Sequence, residues 1–191
     1  MGGTFAVRFP VAGDPGDDGW HFDGSYAGDD GSWWTNHRSK GRALLMLVLL
    51  SDVGERDAPT RIRVGSHRYV RDLLLPYGEE GVNHQRLELS DEIDACDVAL
   101  ATGRAGDVYL CHPFLVHAAQ RHGGTEPRFV AQPGVPWKEG SLVRAHGGAH
   151  DGSYPLAIQA SDLSELTDRG AGPVRDSDHV VADLRLLRGP F

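Results

Sequence analysis

The apolar segments of this chain are short, and turn residues close each of them off. The most apolar of them, residues 44–50, lies between Gly41 and Asp52. A run of that length is short for a buried helix and suits a central strand covered on both faces. Phe5, Val7 and Phe9 alternate with smaller or polar residues, which predicts a half-buried strand over 4–9. Further strands are expected over 20–26, 60–64, 98–101, 107–111 and 127–132. The 25 glycines and 11 prolines fit a turn-rich β protein better than a helical bundle. Many short strands separated by turns point to a mainly β sandwich or jelly roll with a few flanking helices. One helix is expected from Ser66 as N-cap to about Leu75, with Val70, Leu73 and Leu74 inward and Pro76 and Gly78 as its stop. Residues 154–166 also carry helical spacing, weakened by Pro155. Residues 27–41 read as a long loop, and 79–95 as a polar, acidic surface excursion.

A chain of 191 residues can bury one core, and a single domain over 1–191 is expected. The net charge of −8 argues against nucleic acid or an anionic membrane surface as a partner. Cys96 and Cys111 form no CxxC, and each sits in an apolar run, so both are expected in the core of a reduced, cytoplasmic protein. No basic region followed by an apolar stretch opens the chain, so no signal peptide is expected. The run at 44–50 is far too short to span a bilayer. A small-molecule partner is the expectation that remains; monomer and homodimer are both open.

The chemistry starts at Trp20-His21-Phe22-Asp23. On extended backbone, residues two apart share a face, so His21 and Asp23 aim at one point and Phe22 at the other side. One imidazole from elsewhere would complete two His and one carboxylate, the facial set of non-haem Fe(II) oxygenases. Nine further histidines compete for that place. His117 is well placed, because it ends the apolar run that follows His112-Pro113 and precedes a polar loop. His112 alone is more often structural. Arg128, next to Phe129 and Val130, is a candidate inward cation that grips a carboxylate through two hydrogen bonds. Trp33, Trp34, Asn36 and His37 are substrate-contact candidates, and Arg61 faces either the pocket or solvent. His146 and His150 lie in a Gly-rich stretch that reads as a loop.

Four segments together resemble the phytanoyl-CoA dioxygenase family of Fe(II)/2-oxoglutarate oxygenases. They are Trp20 to Asp23; the stretch from Pro59 through Gly65-Ser66-His67; Gly106-Asp107 leading into His112-Pro113 and His117; and Arg128 at the family's distance from the last His. The resemblance implies a double-stranded β-helix, or jelly roll, with the metal inside one end. It implies His21, Asp23 and His117 as the catalytic iron ligands and Arg128 as the group that binds 2-oxoglutarate. It also implies oxidation by O2, with 2-oxoglutarate converted to succinate and CO2 as the substrate is hydroxylated. The presence of Asp23 favours hydroxylation over halogenation, since related halogenases lack the carboxylate. Ser66 and His67 match a motif that is mainly structural in the family. Three departures stand out. Val64 replaces a Pro, Ala118 and Ala119 stand where a Gly and a small hydroxyl residue are usual, and only a short N-terminus precedes the motif. The residues alone also admit a cupin-type metal protein that does not use 2-oxoglutarate, or a binding module without turnover. Arg128 separates the first of these from the oxygenase, since only a keto-acid cosubstrate needs that cation.

Overall fold

The computed structural model describes residues 3–13 and 15–136. The protein is mainly β, with few helices and several antiparallel sheets, an architecture consistent with a jelly roll. Among the described residues the strands are β1 (Gly3–Arg8), β2 (Tyr26–Ala27), β3 (Trp33–Thr35), β4 (Leu45–Leu49), β5 (Thr60–Arg63), β6 (Val82–Asn83), β7 (Val98–Ala101), β8 (Val108–Cys111), β9 (His117–Ala118) and β10 (Arg128–Pro133). Two helices, α1 (His67–Leu74) and α2 (Asp91–Asp94), flank them.

One sheet has the order β1-β10-β4-β8, a second β7-β5-β9, and a small third one β2-β3-β6. The first two face each other. Leu45, Leu47 and Leu49 of β4, Tyr109 and Cys111 of β8 and Val130 of β10 share one buried cluster with Ile62 of β5 and Ala101 of β7. The apolar run at 44–50 is thus a central strand, as its composition predicts, but it is fully buried on one face only: Leu45, Leu47 and Leu49 are in the core, while Met46 and Val48 are half-buried and Leu50 is exposed. Strands β7 and β8 flank the turn at 102–107 but belong to different sheets, so the chain crosses the sandwich there instead of forming a hairpin.

A second cluster lies outside the three-stranded sheet. Val70 and Leu74 of α1, Ile93 of α2, Phe22, Phe114 and Val116 form it. The helix starts where Ser66 predicts, but the Ser66 hydroxyl does not cap it. It accepts from the Val116 N–H at 2.9 Å and so ties the helix start to the residue before His117. Leu73 is only half-buried. The run 154–166, His146 and His150 lie outside the described residues.

The first strand departs from its expected facing. Phe5 and Phe9 are each 58 % exposed. The reason is the pairing with β10, in which Val7 lies opposite Phe129, while Ala6 lies opposite Val130 and Arg8 opposite Arg128. Val130 is in the core, so Ala6 and Arg8 take the inward face and Phe5 and Val7 the outward one. Phe5 packs there on Phe129, with ring centroids 6.2 Å apart. A one-residue phase change turns over every side chain of a strand. On an edge strand the local pattern is weak enough for its partner to choose.

Candidate metal centre

The segment that carries His21 and Asp23 is not the full strand expected over 20–26. Apart from Tyr26, which begins β2, only His21 is ladder-bonded, through an isolated antiparallel bridge to His117. The two residues exchange both backbone bonds: the His21 N–H donates to the His117 carbonyl at 3.0 Å, and the His117 N–H to the His21 carbonyl at 2.8 Å. Residues directly opposite in an antiparallel pair put their side chains on the same face, close together. The imidazole centroids are accordingly 4.6 Å apart. On its other edge His117 pairs with Ile62, so the three-stranded sheet continues through β9 into the His21 segment. Ile62 is a core residue, and the histidines share its face, toward the interior of the sandwich.

Asp23 follows two residues after His21 and returns to the same side, while Phe22 is buried in the outer cluster edge-on to Phe114. One ligand atom from each of His21, Asp23 and His117 lies within 4.8 Å of the others. Asp23 Oδ1 is 3.9 Å from His117 Nε2. Both imidazoles are held by their inner nitrogen. His21 Nδ1 is 2.9 Å from the Gly19 carbonyl, and His117 Nδ1 2.9 Å from the Leu115 carbonyl. A carbonyl only accepts, so each Nδ1 carries the proton and each Nε2 keeps a lone pair. That is the outer-shell bond that fixes the tautomer of a metal-binding His. Burial lowers the pKa of His117 below the usual imidazole value, against the opposing pull of Asp23. The donor set on offer is two imidazoles with Nε2 outermost and one carboxylate, which suits a divalent iron.

Sequence reasoning passed over Arg42. Its Nη2 is 2.8 Å from Asp23 Oδ2, and the pair is only partly exposed, at 17 % and 25 % of the two side chains. Nothing in the residues around Arg42 signals this. It precedes an apolar run and matches no motif, and only the fold brings it to Asp23.

Arg128 points inward, as its neighbours suggest, and is 3 % exposed. Its Nη1 donates to the Ala58 carbonyl at 2.9 Å, and its buried Nε has no partner among the described residues. Burial, and then the neighbouring Arg8, push its pKa down to about 10, against the pull of Asp17, so it is a cation at neutral pH. Asp17 pairs with Arg8 instead. A buried guanidinium with spare donors and no carboxylate of its own fits an anionic ligand that arrives from outside.

Two clefts open beside the triad. One, of about 420 Å3, is walled by Trp20, His21, Phe22, His84, Gln85, Leu87 and Leu89. The other, of about 510 Å3, takes in Asp23, Arg42, Trp33, His84 and Gln132. Residues 84–89 come from the stretch read as a surface excursion, so that reading missed a wall of the site. The alternation of Leu87 and Leu89 is the signal that could have found it. Of the loop residues proposed to meet substrate, Trp33 lines the second cleft and is 56 % exposed. The others hold the loop together. Trp34 Nε1 donates to Ser32 Oγ at 3.0 Å, Asn36 is buried and donates to the Glu79 carbonyl at 2.8 Å, and His37 Nδ1 is 2.9 Å from the Gly78 carbonyl. Arg61 packs on Trp20, 4.7 Å from the ring centre, and donates to the Ala119 carbonyl, so it pins the segment before His21 instead of lining the pocket.

His67 and His112 come together away from the triad, stacked with centroids 4.8 Å apart. The Phe114 N–H donates to His112 Nδ1 at 3.1 Å. Cys111 is buried, which pushes its thiol up to about 12, and Cys96 is half-buried; both are free. Among the described residues, no helix is long and apolar enough to cross a membrane.

No curated protein matches the chain. The profile of the phytanoyl-CoA dioxygenase (PhyH) family, one of Fe(II)/2-oxoglutarate-dependent oxygenases, matches residues 5–130 and so spans every element from β1 to the core of β10. With His21, Asp23 and His117 gathered on one face and the match running through all three, this chain belongs to the phytanoyl-CoA dioxygenase family.

Proposed function

We propose that this protein is an Fe(II)/2-oxoglutarate-dependent oxygenase that hydroxylates a small molecule and releases succinate and CO2. The observation that carries the reading is the convergence of His21, Asp23 and His117 within 4.8 Å, with both Nε2 atoms freed by the Nδ1 bonds. In this reading these three residues hold the iron. The iron, when bound, supplies activation of O2 for oxidative decarboxylation of the keto acid and hydroxylation of the substrate. Arg128 receives the distal carboxylate of 2-oxoglutarate; its uncommitted Nε supports that role, because an unpaired buried ion costs several kcal/mol and a carboxylate would relieve it. The cleft that takes in Asp23, Arg42, Trp33, His84 and Gln132 opens beside the carboxylate and gives the substrate its place, with Trp33 as an aromatic wall. The setting we propose is a single cytoplasmic domain, on the strength of the free cysteines.

The test is succinate formation from 2-oxoglutarate by anaerobically reconstituted Fe(II) protein exposed to O2, beside Arg128→Ala and His117→Ala. Slow turnover in the absence of substrate, lost in both variants, is the expected result. Iron binding without any binding of 2-oxoglutarate would turn the reading over in favour of a cupin-type metal protein.

A further inference from the structure

We propose that Arg42 is a positioning residue for the metal centre: it holds one oxygen of Asp23 so that the carboxylate offers the metal only the other. The inference rests on the triad reading above. A carboxylate has two oxygens. Left free it either chelates through both, which uses up an extra coordination position, or turns toward water. In this protein the oxygens are separated by partner. Oδ2 is 2.8 Å from Arg42 Nη2, and Oδ1 faces His117 Nε2 at 3.9 Å. A charge-assisted bond at that distance is strong and directional. With one oxygen withheld, the two-His-one-carboxylate set keeps its open positions for other ligands.

The chain around Arg42 is built to aim it. Gly41 has φ +86°, and a Cβ there would stand 2.6 Å from the Ser25 carbonyl, so the backbone passes too close for any other residue. The Arg42 N–H donates to the Ser39 carbonyl at 3.0 Å, and the Arg42 carbonyl accepts from Ser39 Oγ at 2.8 Å. Ser39 is buried and itself sits at φ +50°, a conformation that costs a non-glycine residue energy. Asn36, also buried, accepts from the Arg38 and Lys40 N–H groups through Oδ1. Immediately after Arg42, the Ala43 N–H donates to the Val135 carbonyl at 2.7 Å. Two buried polar side chains, Asn36 and the strained Ser39, thus fix the backbone from which one arginine reaches Asp23.

Two effects of Arg42 on a dication oppose each other. Its charge repels the ion, and its grip orients the ligand. The geometry points to the second as the larger, because outer-shell partners of metal ligands commonly raise affinity 10- to 100-fold. The experiment titrates the full chain with Co(II) in the absence of any other ligand and follows both affinity and the visible Co(II) absorption. Arg42→Ala is expected to weaken binding about tenfold and to alter the Co(II) spectrum, while Arg42→Lys recovers part of the affinity because it keeps the charge but not the fork. Affinity within twofold of wild type with an unchanged spectrum would overturn the inference. So would tighter binding, which would make Arg42 a charge and not a guide. Should Arg42→Ala not fold, Arg42→Lys is read alone: a loss beyond threefold supports the inference and a smaller one overturns it. Asp23→Ala and His117→Ala are run beside these. If neither weakens Co(II) binding, it is the triad reading that fails; if both do and Arg42→Ala does not, only the role of Arg42 fails.

Discussion

Two pairs of histidines in this protein look alike by spacing and differ in everything else. The rings of His21 and His117 are 4.6 Å apart, and those of His67 and His112 are 4.8 Å apart. The first pair is tilted at 53°, has a carboxylate on the same face, and ties each Nδ1 to a backbone carbonyl. The second is stacked at 29°. In it the His112 Nδ1 accepts an N–H, and the His67 Nδ1 is buried without a hydrogen bond among the described residues. Burial lowers His67 to about 4, with help from Arg68, and His112 to about 3, with help from His67. Proximity of imidazoles therefore does not make a metal site. What separates the two pairs is a shared carboxylate and an anchor on the inner nitrogen that leaves the outer one available.

The comparison breaks most readily at the metal. His117→Ala should lower Co(II) affinity more than 100-fold, beyond the roughly 10- to 100-fold typical of losing an outer-shell partner, while His112→Ala should leave it within about threefold. Isothermal titration of the two variants checks this, and equal losses would erase the distinction. Stability should respond the other way. His112 is half-buried and packed between His67 and Phe114, so His112→Ala should cost about 2 kcal/mol in urea unfolding, as a large-to-small change in a packed site. His21→Ala, at an exposed position, should cost less than about 1 kcal/mol.

A further expected effect is on pH dependence. His67 and His112 are neutral in the folded protein and bind protons on unfolding once pH falls below about 6.5. Stability contributed by keeping them neutral is thus complete above that pH and declines as pH falls toward their folded values. The slope approaches about 1.4 kcal/mol per pH unit for each group that is proton-free when folded and protonated when unfolded. Between pH 7 and 5.5 the wild type should lose roughly 2.5 kcal/mol more than the double variant His67→Asn/His112→Asn. Parallel losses in urea titrations would show that the pair does not set the acid limb.

The same contrast marks what the residues disclose on their own. His21 and Asp23 were legible because two-residue spacing acts over a few ångströms of extended chain, and it holds even though only His21 is bridged. Arg128 was legible from its apolar neighbours, and the buried β4 from its composition. The phase of β1 was not, since it depends on β10, more than a hundred residues away. Arg42 was missed because its segment reads as an ordinary surface locally and meets the triad only through the fold, whereas the wall at 84–89 carried a local signal in the alternation of Leu87 and Leu89. Ser66 was half legible. Its position marks the helix start, but its hydroxyl serves Val116.

The central claim is that one centre, made by His21, Asp23 and His117, binds iron in a form that a keto acid anchored by Arg128 can chelate. The most direct measurement is an anaerobic titration of the Fe(II) protein with 2-oxoglutarate, followed by the weak visible charge-transfer band of the chelate. The account predicts a band that saturates at one equivalent per chain, is absent in His117→Ala, and needs far more 2-oxoglutarate in Arg128→Ala. Iron binding with no band, or a band that survives His117→Ala unchanged, would contradict it.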